Sequence, residues 1–480
     1  MSIWNFKSDN KGYHPIDKKW IRGFNKIRAK DKRKLLCHAP FKSMTFYPTG
    51  AVLACWYNKL FPLGNYPKDS INDIWFSKRA EKLRNHIKNN DLSYGCTGCR
   101  NHLKNKNYYS SGMWRYDFLP ENTNGYPVSI DFQMSHACNL LCIMCNGEYS
   151  ENIRINREKK ELYEKPYDEN FIPQLEPFIP FLKEASFSGG EPFMCKDYFD
   201  IWDMMIAKNH HIRISVTTNG TLLNEKIIKY LDSLPFNVSV SIDAITPELY
   251  EKIRVNGKIE PVLKNIEYFI KYTKKKGTVM AAKTCAMRQN WIELPALAEY
   301  MNKRDIPFLY NYVVYPANCS LWNLSSGKLK EISEYLKNKM IEQGNTYNQK
   351  NNFTRYNDLI RQIDIWYHEA ISREQMNIDK MNVSQLKDIF FKKVDDYFAA
   401  ELSGQMDECI EKINNVKNLI DNLIKESPSE KYALSGMKYL ATVPIDKWLA
   451  DMEIRDYEKN KDRFYQIGMF DEETIMNKIS

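Results

Sequence analysis

The chain has 480 residues, of which 43% are hydrophobic and 27% charged, enough for a packed protein of about three domains. The net charge of +9 is modest for this length, and no apolar run approaches the ~18 residues of a membrane span, so we expect neither a nucleic-acid nor a membrane partner. No signal-peptide core opens the sequence, which predicts a cytoplasmic protein whose 11 cysteines stay reduced and available to metals.

Residues 1–36 form a basic segment that contains little to fix a fold. Its cations are densest between Lys18 and Lys34. We expect this run to be a solvated helix face or a flexible arm, and contact with an acidic partner is the alternative.

The next segment, residues 37–115, carries four cysteines. The stretch from Phe41 to Trp56 predicts two short strands around a turn, and Ser70 to Ile87 predicts one helix. The cysteines are Cys37, Cys55, Cys96 and Cys99, the last two as a C-x2-C pair. Four thiolates within ~65 residues fit either a zinc site or an iron–sulfur cluster, and spacing alone does not choose between them.

Residues 125–320 alternate strand-like and helix-like segments. Strands are predicted at Val128–Met134, Ala185–Ser188, Ile212–Thr217, Val238–Ile242, Val279–Thr284 and Phe308–Val314. Helices are predicted between them at Tyr198–Ala207, Asn224–Leu231, Val262–Tyr272 and Trp291–Lys303. This alternation predicts an α/β fold with a parallel sheet, open or closed into a barrel, whose working residues lie at the carboxyl ends of the strands.

Three more cysteines follow the first of these strands in a C-x3-C-x2-C loop, at Cys138, Cys142 and Cys145. So dense a thiol cluster in a reducing compartment indicates a metal site. Three thiolates can hold three irons of a four-iron cube and leave the fourth iron open. Clusters that only transfer electrons have four protein ligands, so the open iron indicates that this cluster binds something else.

Residues 325–480 predict helices alone. Apolar residues recur at helical spacing from Leu386 to Leu402 and again from Met406 to Ile424, on either side of Ser403-Gly404. This pattern predicts a helical hairpin that Ser427-Pro428-Ser429 ends. The segment contains no chemical motif.

Four further stretches follow the strands in order: Ser188-Gly-Gly-Glu-Pro192, Thr217-Thr-Asn-Gly220, Ser239-Val-Ser-Ile-Asp243 and Asn290. With the cysteine loop, their order and spacing over residues 125–320 resemble the radical S-adenosylmethionine (SAM) superfamily. The resemblance implies a partial (βα)6, TIM-like barrel. It also implies that Cys138, Cys142 and Cys145 bind a [4Fe–4S] cluster whose open iron is chelated by SAM.

The resemblance assigns SAM contacts to eight residues. Met144 would lie against the adenine, and Gly189, Gly190 and Glu191 would lie at the methionine amino group. Four polar residues at strand ends would reach the ribose and the carboxylate, and capping of the strand end is the alternative role for each of them. They are Thr218, Asn219, Ser241 and Asp243. The implied chemistry is reductive cleavage of SAM to a 5′-deoxyadenosyl radical, which abstracts a substrate hydrogen.

The upstream cysteines also resemble a family motif. Cys37, twelve residues, Gly50, four residues and Cys55, followed by Cys96-x2-Cys99, resemble the twitch/SPASM auxiliary-cluster modules. Here the module precedes the barrel, whereas it usually follows, and later cysteines of the full pattern are missing. The resemblance implies one auxiliary [4Fe–4S] cluster, with zinc as the alternative, and a net oxidation such as a crosslink or a dehydrogenation.

The sequence favours a peptide as the substrate, because relatives with such modules often modify peptides. A sugar or other small molecule that is dehydrogenated or epimerised is the alternative, and a non-catalytic iron–sulfur or zinc scaffold is the third reading. We expect an electron donor such as flavodoxin or ferredoxin. Cys195 is a weak candidate for a thiol that donates hydrogen, although a small buried side chain is the simpler reading, and Cys285 is read as structural.

Overall fold

The computed structural model describes residues 13–108, 111–121, 124–209, 211–401, 406–443 and 445–469. Within these ranges no helix combines the length and the apolar composition that crossing a membrane requires. The predicted α/β class, with a parallel sheet and a helical C-terminal region, is confirmed.

One sheet forms the centre of the fold. Its strands β1 to β9 are Ser43–Phe46, Ala51–Leu53, Gly64–Asn65, Ser129–Ser135, Glu184–Gly189, Arg213–Thr218, Phe236–Ser241, Met280–Ala286 and Phe308–Tyr312. They are ordered β3-β2-β1-β4-β5-β6-β7-β8-β9. Neighbours from β4 to β9 are parallel, as predicted, and β1 joins β4 in parallel while pairing antiparallel with β2. The strands of segment 37–115 therefore extend the barrel sheet beyond its first strand.

The two faces of the parallel strands differ in polarity. On the outer face Phe187 packs against Tyr198 and Trp202 of the covering helix layer. On the inner face, register partners across four strands are Asp131, Ser186, Ser215 and Asn237. Asp131 on β4 and Lys283 on β8 act on each other electrostatically across three intervening strands, so the sheet curves around a polar lumen. Because one face of the sheet borders this polar lumen, polar and apolar residues alternate along the strands. Parallel strands that are buried between two apolar layers instead consist of continuous hydrophobic runs.

In the described residues, seven α-helices precede or interrupt the first strands of the barrel. Helices α1 to α7 are Lys18–Asn25, Ala39–Lys42, Ile71–Trp75, Lys78–Lys88, Thr97–Lys104, Glu151–Asn156 and Phe171–Leu175. The prediction of a single helix from Ser70 to Ile87 is wrong. Ser70 and Ser77 each accept a backbone N–H bond as an N-cap, so the chain starts a new helix, α4, after α3.

The described part of the basic segment is packed into the protein. Phe24 is fully buried, and Nε of the buried Arg28 lies 2.6 Å from Oδ2 of Asp117. The expected solvated helix face is confirmed on α1, where Lys18, Lys19 and Arg22 are exposed, whereas Arg28 is buried because the Asp117 carboxylate neutralises it. Residues 1–12 lie outside the described residues.

The helices that cover the outer face confirm the predicted alternation. Helices α8 to α12 are Lys196–Lys208, Glu225–Ser233, Pro247–Ile253, Ile259–Lys276 and Leu294–Lys303. The Asn224 side chain accepts the Ile227 N–H at the start of α9, and Gly277 ends α11 with φ of +67°, where a side chain would be strained.

In residues 325–480 the described chain is helical, without strands. Helices α13 to α19 are Ser326–Asn338, Tyr347–Gln375, Val383–Glu401, Met406–Lys425, Glu430–Thr442, Ile445–Glu453 and Tyr457–Met469. Helices α15 and α16 contact each other as the two arms of the predicted hairpin, and the predicted break at 427–429 separates α16 from α17. The Ser403-Gly404 break itself lies outside the described residues.

Candidate active site

The three-cysteine loop begins three residues after β4 ends, at the carboxyl edge of the parallel sheet. Two backbone bonds fix it to the segment after α10: the Leu141 N–H donates to the Val255 carbonyl, and the Ile143 N–H donates to the Ile253 carbonyl, each at 3.0 Å. Burial raises the pKa of the Cys138 thiol to about 11 and that of Cys145 to about 12, and each thiol is affected by the charge of its neighbours in the loop. The structure therefore brings the three predicted thiols together.

Two arginines support this loop. Arg157 donates from Nη1 to the Cys142 carbonyl at 2.9 Å and from Nη2 to the Cys145 carbonyl. Nη1 of the buried Arg254 lies 3.9 Å from the Cys142 sulfur. A cation at this distance favours the thiolate form, which is the form that binds iron.

The glycine stretch after β5 allows two backbones to approach closely. The Gly190 N–H donates to the Ser135 carbonyl at 2.7 Å, and the Glu191 N–H donates to the Ala137 carbonyl at 2.6 Å. A Cβ on Gly190 would lie 2.2 Å from the Ala137 oxygen, and Gly189 has φ of +116°. The glycines therefore bring the β5 end against the chain that leads into Cys138.

Glu191 does not face the cavity. Its fully buried carboxylate accepts bonds from the Thr218 hydroxyl at 2.8 Å and from the Asn219 N–H at 2.7 Å. Burial raises the pKa of Glu191 to about 7 against these donors. Its contacts in the structure join the β5 end to the β6 end.

Asp243 also lies behind the cavity wall. Its Oδ1 accepts the Cys285 N–H at 2.7 Å, and its Oδ2 lies 2.7 Å from Nη2 of Arg254. Asp243 is fully buried, so it fixes the Arg254 guanidinium beside Cys142. Both contacts of this aspartate are therefore made within the protein.

One cavity of about 450 Å3 opens at the carboxyl edge of the sheet, within the roughly 300–1,000 Å3 typical of small-molecule sites. All three loop cysteines line it. Six of the eight predicted SAM contacts line it as well, namely Met144, Gly189, Gly190, Thr218, Asn219 and Ser241.

Polar or reactive side chains that were not predicted from the sequence also line this cavity, among them Arg254, Cys285, Tyr315, Asp451 and Arg463. The only sequence signal at Arg254 is its position: a cation directly after a helix, beside the apolar face of that helix. Asp451 and Arg463 reach the cavity from α18 and α19, and no local pattern marks them.

Cys195 does not line the cavity. A short 3₁₀ turn at Pro192–Met194 carries the chain away from the mouth, and Cys195 lies in a separate pocket beside Met134 and Ser135. The inner-face position on β8 instead places Cys285 at the cavity. Cys195 is therefore the small buried side chain that the simpler interpretation predicted, whereas Cys285, which was predicted to be structural, lines the cavity.

Helix α19 and the turn that precedes it contact the segment after the three-cysteine loop through ion pairs and hydrogen bonds. Arg455 donates to Glu148 at 2.8 Å, and Asp462 accepts from Arg154 and, at 2.7 Å, from Tyr163. The C-terminal helices thereby form one wall of the cavity mouth.

The four upstream cysteines lie on separate elements that meet beside β1. Cys37 precedes α2, Cys55 follows β2, and Cys96 and Cys99 lie at the start of α5. Burial and then the charge of Cys55 raise the pKa of Cys99 to about 12, and the pKa of Cys96 is raised by burial and by all three other thiols. The structure therefore gathers the four predicted thiols.

Several N–H groups point at these sulfurs. The Ala39 N–H donates to Cys37 at 3.4 Å, and the Asn58 amide donates to Cys96 at 3.7 Å. Backbone N–H groups of Gly112 and Met113 donate to Cys99. Such donors stabilise bound thiolates and tune iron–sulfur clusters. Among the described side chains, no three histidines, cysteines or acidic residues are spaced to hold a single metal ion.

Two family models match the chain. The radical SAM superfamily model matches residues 132–301, and the SPASM model, an iron–sulfur cluster-binding domain, matches residues 37–100. The chain therefore contains a radical SAM domain preceded by a SPASM domain. These domains imply SAM, a [4Fe–4S] cluster and auxiliary iron–sulfur binding as the cofactors.

Curated relatives cover parts of the chain. A probable GTP 3′,8-cyclase of Methanocaldococcus jannaschii is 31% identical over 37% of this chain and 55% of its own length. The mycofactocin maturase MftC of Mycobacterium tuberculosis is 25% identical over 29% of this chain and 34% of its own length. The chain thus spans about half, or less, of the length of these relatives.

A solved structure of SuiB from Streptococcus suis, bound to S-adenosylmethionine, is 18% identical over 56% of this chain and 59% of its own, with a TM-score of 0.32.

The residues at the cavity fit the implied cofactors. Three thiols meet there, and the Nε of Arg254 is buried without a hydrogen-bond partner among the described residues. A spare guanidinium donor beside an apolar Met144 suits a ligand that carries both a carboxylate and a flat ring.

Proposed function

We propose that this chain is a radical SAM enzyme that cleaves SAM reductively and abstracts a hydrogen atom from an organic substrate. One observation carries the proposal: a single cavity is lined by the three thiols of the C-x3-C-x2-C loop and by the Gly189-Gly190 strand end. A scaffold that only bound a cluster would have no need of this second group of residues.

Cys138, Cys142 and Cys145 would hold a four-iron cluster with one iron free of protein ligands. When bound, the cluster and SAM supply one-electron cleavage of a C–S bond and, from it, removal of hydrogen from an unactivated C–H bond. The protein orients the partners and excludes competing reactions. Arg254 offers a cation to the SAM carboxylate, and Met144 offers an apolar surface to the adenine.

The second thiol set supports an auxiliary cluster. Four thiols, Cys37, Cys55, Cys96 and Cys99, can complete all four irons of a cube, which leaves none open and favours electron transfer over substrate binding. We therefore propose a net oxidation of the substrate, a crosslink or a dehydrogenation, with zinc as the alternative occupant. Flavodoxin or ferredoxin in a cytoplasmic setting would supply the first electron.

A peptide is the proposed substrate, and the relationship to a mycofactocin maturase supports it. The relationship to a GTP 3′,8-cyclase favours a small molecule as the second candidate. The cavity, at about 450 Å3, opens at a mouth walled by charged side chains of α18 and α19, which suits a polar substrate of either kind.

Deuterium transfer tests the proposal. Reconstituted protein with SAM and dithionite should form 5′-deoxyadenosine, and a deuterated substrate should pass deuterium into it. GTP and any short peptide encoded beside the gene are the two probes. Cys142→Ala should form no 5′-deoxyadenosine, and continued cleavage by that variant would show that the cysteine loop is misassigned.

A further inference from the structure

Lys283 lies below the floor of the cavity and is connected to it by one hydrogen bond. It occupies β8 in register with Ser241 and two residues before Cys285, and both of those residues line the cavity. Its Nζ donates to Oγ1 of Thr217 at 3.0 Å, and Thr217 is itself a cavity residue. The hydroxyl of Thr217 therefore connects the cavity with an amine in the barrel lumen.

Two charged groups act on this amine, one from β4 and one from the short 3₁₀ helix Gly112–Phe118. Asp131 on β4 accepts bonds from Trp56 Nε1 at 2.7 Å, from Thr45 at 3.4 Å and from Ser186. The second charged group that acts on the Lys283 amine is Arg115 on the 3₁₀ helix. Burial and then Arg115 lower the pKa of Lys283 to about 8, and Asp131 opposes them.

The side chains that surround Lys283 in the lumen extend toward the four-thiol site. Trp56 directly follows Cys55, and its indole holds the Asp131 carboxylate. Lys283 therefore lies between the cavity on one side and the Asp131–Trp56 pair beside the auxiliary cysteines on the other.

We propose that Lys283 is the proton acceptor of substrate oxidation and that the Thr217 hydroxyl relays the proton from the cavity. The inference rests on the proposed net oxidation. In a neutral state the amine accepts the Thr217 hydroxyl proton, while the Thr217 oxygen takes one from the substrate.

The step balances for a substrate unit H–C–X–H in which X is oxygen, nitrogen or sulfur. The C–H bond breaks first, and its hydrogen atom leaves in 5′-deoxyadenosine. The X–H bond then breaks, its proton ends on Lys283 as an ammonium, and a C=X bond forms. The remaining electron reduces an oxidised iron–sulfur cluster, the class of acceptor proposed for the four-thiol site.

Carbon-13 NMR of the reconstituted protein tests the position of the proton. With lysine labelled at the ε carbon, the signal missing from Lys283→Arg identifies Lys283. We expect its titration midpoint near pH 8. Arg115→Gln should raise the midpoint because it removes a repelling charge, and Asp131→Asn should lower it. A midpoint at or above pH 10, or one that neither variant moves, would overturn the proposal.

A second readout separates proton transfer from hydrogen abstraction. With whichever deuterated probe transfers its label in the wild-type protein, Lys283→Met should still pass deuterium into 5′-deoxyadenosine yet form at least tenfold less oxidised product. Lys283→Arg, which keeps the charge but does not lose its proton, should not rescue product formation. Equal loss of both readouts, or rescue by arginine, would show a structural role.

The exposed Lys196→Met on α8 is the matched control and should match the wild type in both readouts. If the wild-type protein forms no 5′-deoxyadenosine at all, the proposed function fails. The NMR midpoint still reports the state of Lys283 in that case, so the two failures remain distinguishable.

Discussion

Gly190 shows how a single missing side chain shapes the mouth of the cavity. Its backbone lies against Ala137, the residue before Cys138, so any side chain there would push the cysteine loop away from the β5 end. We predict that Gly190→Ala lowers 5′-deoxyadenosine formation at least tenfold and destabilises the fold by about 1–3 kcal/mol, as overpacking does. Product assay and thermal unfolding measure the two effects.

Gly327→Ala is the matched control, because a Cβ at this position in α13 meets no atom within 4 Å. It should leave cleavage unchanged and raise stability by about 0.5–1 kcal/mol, the usual gain of alanine over glycine in a helix. Wild-type cleavage by Gly190→Ala would contradict the view that close backbone contact shapes the site.

At the scale of elements, two short segments that carry cysteines are each expected to bind a separate iron–sulfur cluster. The loop after β4 carries one set of thiols, and the start of α5 carries part of the other. Cys96→Ala should therefore lower iron from about eight to about four per chain and leave the first cluster in place. Iron and zinc analysis of anaerobically reconstituted protein measures this.

Cys319→Ala serves as the control, since Cys319 is buried outside both thiol sets and should retain the full iron content. A wild-type chain with about four irons and one zinc would show that the four-thiol site binds zinc instead of an auxiliary iron–sulfur cluster.

The sequence predicted those elements whose signals are local. The cysteine loop and the Gly189-Gly190 turn both directly follow strands that alternate polar and apolar residues, so their meeting at one sheet edge follows from parallel pairing. The break between α3 and α4 was missed, because Ser77 acts as a cap within a continuous apolar pattern. Cys195 was only a weak candidate for a hydrogen donor, and the 3₁₀ turn directs it away from the cavity.

Across the whole molecule, the C-terminal helices complete a cavity built by the barrel. Asp451 on α18 lies 2.8 Å from Lys59 of the N-terminal module and 3.2 Å from Arg463 on α19. Burial raises the pKa of Asp451, but the cations Lys59, Arg455 and Arg463 outweigh it and hold the pKa well below its usual value. Such contacts across hundreds of residues leave no local signal in the sequence.

Asp451→Asn should destabilise the protein by on the order of 3 kcal/mol, because it leaves buried cations without their carboxylate. The lowered pKa means that the carboxylate stabilises the fold above about pH 3.8 and that this contribution is lost as the pH falls below that value. The difference in unfolding temperature between wild type and variant should therefore be constant near neutral pH and shrink in acid.

The exposed Asp379→Asn, which removes an ion pair with Lys438, is the control and should change stability by less than about 1 kcal/mol. An Asp451→Asn protein as stable as this control would show that the C-terminal helices are held by apolar packing alone.

The central claim is that the cavity holds a cluster with one iron open to SAM, beside a second cluster with none. Electron paramagnetic resonance of the dithionite-reduced protein, with and without SAM, tests it most directly. We predict two cluster signals, of which SAM changes one, and a Cys142→Ala protein that keeps a signal unaffected by SAM. Two signals that SAM leaves unchanged in the wild-type protein, or a SAM-sensitive signal that survives in Cys142→Ala, would contradict it.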